Sequence, residues 1–196
     1  MRRALLALVL TALLAPAAGA QPALLALAGA ELLAPHLSRA APFPRPLAVA
    51  QALTAGDPGW QALLAPLEAV APLGAPLPRQ LAASFPAAAE RAVLAEMGEA
   101  EPGRMQHWMA AAMRLGARFG ARMGADDSPA LAATAAAEAL LDQGALAAAD
   151  GVLATLQGPA AEALLPWRAQ LARRLAADAA AAALAGLVAQ RTGLSP

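Results

Sequence analysis

Cysteine, tyrosine, lysine, asparagine and isoleucine are absent from all 196 residues. The missing cysteine removes disulfides, thiolate nucleophiles and cysteine-based metal sites together, and it leaves the redox compartment open, because a chain without thiols suits either. Histidine is nearly absent too. His36 and His107 lie far apart, and neither has Asp or Glu three or four positions onward to complete a helical metal pair. His36 reads as a helix-end residue. No G-x-S-x-G, phosphate-binding glycine loop or dinucleotide fingerprint occurs. The adjacent Asp126 and Asp127 are expected to cap a helix, not to form a carboxylate dyad, so no catalytic residue, cofactor or metal is assigned and no enzyme is expected.

Charge of one sign is missing as well: 14 basic residues face 14 acidic ones, for a formal net charge of zero. That balance argues against nucleic acid as a main partner. All the basic residues are arginine, which suggests a coding bias and gives little weight to any single Arg. β-Branched residues are few, whereas Ala and Leu, the strongest helix formers, dominate a chain that is 59% hydrophobic. An all-α fold follows. The expected architecture is an irregular bundle of short antiparallel helices with a tetratricopeptide-like hairpin and a long C-terminal helix.

Residues 1–20 combine Arg2 and Arg3, an apolar run of about a dozen residues and an A-x-A site at Ala18 and Ala20. This is the pattern of a secretory signal. The run is short of the roughly 20 apolar residues a span requires, yet a retained copy would serve as an N-terminal anchor, and a first buried helix is the third reading. Cleavage after Ala20 would leave an exported chain.

From 21 to 103 the sequence reads as helices punctuated by proline. Helices are expected over Ala23–Ser38, Leu47–Ala55 and Gly59–Val70, the last bent or split at Pro66, then a short piece over Arg79–Ser84. Ser84 is expected to cap a further helix, with Pro86 in its first turn. Residues 125–196 hold Ser128 as a cap before Pro129, a helix to Gln143, a stop at Gly144, a return helix over Ala145–Gln157, and a long helix from Pro159 with Trp167 as its aromatic anchor.

Between these regions, residues 104–124 carry the sharpest chemical contrast in the chain. Wound as a helix, they gather Arg104, His107, Arg114, Arg118 and Arg122 within an arc of about 80°. Away from that arc fall Met105, Trp108, Met109, Met113, Leu115, Phe119 and Met123, and no carboxylate interrupts the stretch. A cationic edge facing a Trp/Phe/Met/Leu edge describes a helix lying in a membrane interface. The alternative is a helix of a soluble protein that buries the same apolar stripe in a core or a dimer seam. Two details favour the interface: a solvated face ordinarily mixes Arg with Glu at i,i+4, and Gly116, Gly120 and Gly124 each cost roughly 1 kcal/mol against Ala. Something external must stabilise such a helix, either a bilayer or a second helix approaching along the glycine edge.

Four stretches occur in a telling order. L-L-A-P-H-L-S-R-A-A-P-F (Leu32 to Phe43) is followed by P-L-P-R-Q-L-A-A-S-F-P-A-A-A-E-R-A-V-L-A (Pro76 to Ala95). After the basic helix come G-A-D-D-S-P-A-L-A-A-T-A-A-A-E-A-L-L-D-Q-G (Gly124 to Gly144) and P-A-A-E-A-L-L-P-W-R-A-Q-L-A-R-R-L-A-A-D-A-A (Pro159 to Ala180). Over 22–190 this order resembles the C-terminal domain of alphaproteobacterial mitofilin-family proteins, which organise the inner membrane. The resemblance implies a periplasmic domain, peripheral on or anchored to the inner membrane, whose amphipathic segment binds and deforms lipid. By position it assigns Trp108, Met109, Met113, Leu115 and Phe119 to the acyl boundary, with Arg114, Arg118 and Arg122 on phosphates; Arg104, on the same cationic arc, joins the lipid-contacting set. The partners it implies are an anionic membrane surface and protein partners that include outer-membrane assembly machinery; a second copy of the chain is a further candidate. The chain departs from the family in showing a signal-like leader where a conventional anchor and long coiled coil stand. The competing expectation is a soluble periplasmic tetratricopeptide-like adaptor or dimerisation module without direct lipid binding.

Overall fold

The structure, a computed structural model, describes residues 20–98 and 128–192, and every regular element among them is helical. The helices are α1 (Ala20–Leu37), α2 (Pro44–Leu53), α3 (Pro58–Leu64), α4 (Leu67–Val70), α5 (Pro78–Gly98), α6 (Pro129–Asp142), α7 (Leu146–Leu153) and α8 (Gly158–Thr192). The all-α expectation holds, for the reason the composition gives: Ala and Leu propagate helices, and Pro and Gly set their ends. The chain divides into two compact units, Pro76–Leu175 and the remainder, with α8 contributing its first half to one and its last turns to the other.

The unit built from α1 to α4 and residues 176–192 has a core of Leu33, Leu37, Phe43, Leu47, Trp60, Leu64, Leu67 and Val70, joined by Ala177, Ala180 and Leu184. In α1 the inward residues Ala26, Ala30, Leu33 and Leu37 recur at alternating spacings of four and three, the stripe one helical face requires. α2 begins three residues before the expected Leu47, because Pro44 takes a first-turn position where its missing N–H costs nothing. Asp57 caps α3, its carboxylate accepting from the Gly59 and Trp60 amides at 3.0 and 3.4 Å. Pro66 splits the expected Gly59–Val70 helix into α3 and α4. Gly74 is obligatory in the turn that follows: its φ is +73°, and a Cβ there would lie 2.6 Å from the Ala40 carbonyl oxygen. His36 closes α1 and stacks on Phe43 with ring centroids 6.4 Å apart, as a helix-end residue.

The second unit packs α5, α6, α7 and residues 158–175 around Leu81, Phe85, Leu141, Leu153, Leu164, Trp167 and Leu171, with alanines filling the close approaches. One expectation fails here. Arg79–Ser84 and the stretch after it are a single helix, α5, with Pro86 inside it. Ser84 does not cap a new helix. Its hydroxyl donates to the Leu81 carbonyl at 3.1 Å and accepts from Trp167 Nε1 at 3.2 Å. The same indole N–H reaches the Leu81 carbonyl at 3.2 Å, and the Trp167 ring meets Phe85 at 4.7 Å, tilted by 60°. A proline inside a helix ordinarily breaks it; burial of Leu81, Phe85, Ala88 and Ala92 on one continuous face outweighs that cost.

α6 and α7 pack against each other across a turn at Gly144, whose φ is +74°. The Ala145 amide donates to the Leu140 carbonyl at 2.8 Å and the Gly144 amide to Leu141 at 2.9 Å, the paired bonds of a Schellman motif. Arg168 on α8 pairs with Asp150 on α7 at 2.8 Å.

Candidate lipid-binding site and its anchorage

Every residue assigned to lipid contact, Arg104, Trp108, Met109, Met113, Arg114, Leu115, Arg118, Phe119 and Arg122, lies outside the described residues, as do Gly116, Gly120 and Gly124. The leader to residue 19, His107, Asp126 and Asp127 lie outside them too. What the structure describes are the two stems from which that stretch leaves and to which it returns. Both belong to the unit Pro76–Leu175: the C-terminal end of α5 and the N-terminal end of α6.

The stems are tied together. The Ser128 hydroxyl donates to Glu96 Oε2 at 2.5 Å, and the Ala130 amide lies 3.2 and 3.3 Å from the two Glu96 carboxylate oxygens. The Ser128 hydroxyl oxygen in turn accepts from the Leu131 amide at 3.1 Å, and the Ser128 carbonyl accepts from Ala132 at 3.1 Å. The first-turn donors of α6 are thereby fully accounted for. Pro129 has no N–H, Ala130 is held by Glu96, Leu131 by the Ser128 side chain and Ala132 by the Ser128 backbone.

The physical logic is that of a capping box supplied from another helix. In the usual form the third helical residue is Glu or Gln and reaches back to the cap. Here that residue is Leu131, and Glu96, 32 positions upstream of Ser128, provides the carboxylate. Its negative charge sits where the α6 dipole is positive. Sequence reading finds Ser128 and Pro129 but misses Glu96, because nothing local marks which distant carboxylate will fold onto a helix start. A Ser hydroxyl donating to a carboxylate also has the outline of a nucleophile and its base. Ser128 is only 6% exposed and its oxygen is occupied by Leu131, so the pair serves as a cap.

Near these stems Leu94 is 38% exposed, Met97 is half-buried and Gly98 is exposed. Among the described residues no group of three or more His, Asp and Glu stands close enough to hold a metal ion, and no helix is long and apolar enough to cross a membrane.

No protein-family model, curated protein or solved structure matches this chain.

Proposed function

We propose that this protein is a non-enzymatic, membrane-associated periplasmic protein of mitofilin type. It binds anionic lipid through residues 104–124, engages protein partners through its helical units, and contributes to membrane organisation. The observation that carries the reading is the charge pattern of 104–124: four arginines on one edge, Trp108, Phe119 and the methionines away from it, and no acid between them. Support comes from the described residues on either side of that stretch: Glu96 and Ser128 are bonded to each other, so the chain leaves and re-enters one folded unit at one place, an arrangement suited to presenting a single segment to a surface.

Flotation with vesicles containing anionic phospholipid tests the proposal. A basic residue near such a surface contributes roughly 1 kcal/mol. Replacing Arg114, Arg118 and Arg122 with Glu therefore removes about 3 kcal/mol and adds repulsion, and partitioning is expected to fall on the order of 100-fold. Equal recovery of the two proteins removes the basis of the reading and leaves the soluble helical adaptor in its place. Export is tested separately by the mature N-terminus, expected at Gln21.

A further inference from the structure

We draw no further inference here: the strongest candidate, the indole N–H of Trp60 buried without a hydrogen-bond partner in the core of the unit built from α1 to α4, is a lone polar atom in an apolar cluster, and nothing among the described residues shows what would reach it.

Discussion

Removal of the Glu96 carboxylate gives the most direct test of how the second unit holds its stems. In Glu96→Ala the Ala130 amide and the Ser128 hydroxyl lose their acceptor, and the N-terminus of the 14-residue α6 loses its compensating negative charge. Hydrogen bonds to a charged group contribute about 1.5–3 kcal/mol, and a charge at a helix end about 0.3–1 kcal/mol. These terms overlap, and the half-buried site admits water to the freed donors. The expected loss is therefore about 2 kcal/mol. On thermal unfolding followed by circular dichroism this lowers Tm by roughly 4–8 °C if the chain melts as one piece, and by roughly 8–16 °C if the unit Pro76–Leu175 melts alone. Glu96→Gln keeps one acceptor oxygen and should lose less than half as much. A double-mutant cycle with Ser128→Ala is expected to show a coupling of about 1 kcal/mol, because either substitution removes the Ser128–Glu96 bond. A Glu96→Ala protein that melts like the wild type, or strictly additive losses in the cycle, would refute the account of α6 as capped from α5.

Four further substitutions test the frame. Gly74→Ala is expected to cost about 2–4 kcal/mol in urea unfolding, combining a positive φ with a backbone collision at Ala40, whereas Gly144→Ala, at a similar φ but in open space, should cost only about 1–2 kcal/mol. Equal effects at the two glycines would deny the collision its role. Trp167→Phe keeps the ring against Phe85 but removes the indole N–H shared by the Leu81 carbonyl and the Ser84 hydroxyl, which still bond each other, for about 1 kcal/mol. Trp167→Ala empties the site and should cost about 3–5 kcal/mol by the same measurement.

Helical class was legible because its cause is local. Ala and Leu favour the helix at each residue separately, and Asp57, Pro58, Ser128, Pro129 and Gly144 act within a turn of themselves. Pro86 was misread for the complementary reason. Its local preference is to begin a helix, and only the packing of Leu81, Phe85 and Trp167 shows that one helix runs through it. Of the candidate lipid site, the contrast between arginines and apolar side chains was legible as a pattern of charge. The anchorage was not, since Glu96 is one of several glutamates with no distinguishing neighbour in sequence.

The sequence by itself determined that the described chain is helical, where most helices start and stop, and that one stretch sets arginines among aromatic and methionine residues with no acid between them. Tertiary structure decided that α8 is shared between two cores, that Trp167 locks onto the turn before Pro86, and that a glutamate on α5 caps α6. Propensity and capping act over a few residues and are written in order along the chain. The choice of partner acts across dozens of residues and is made by which faces can exclude water together.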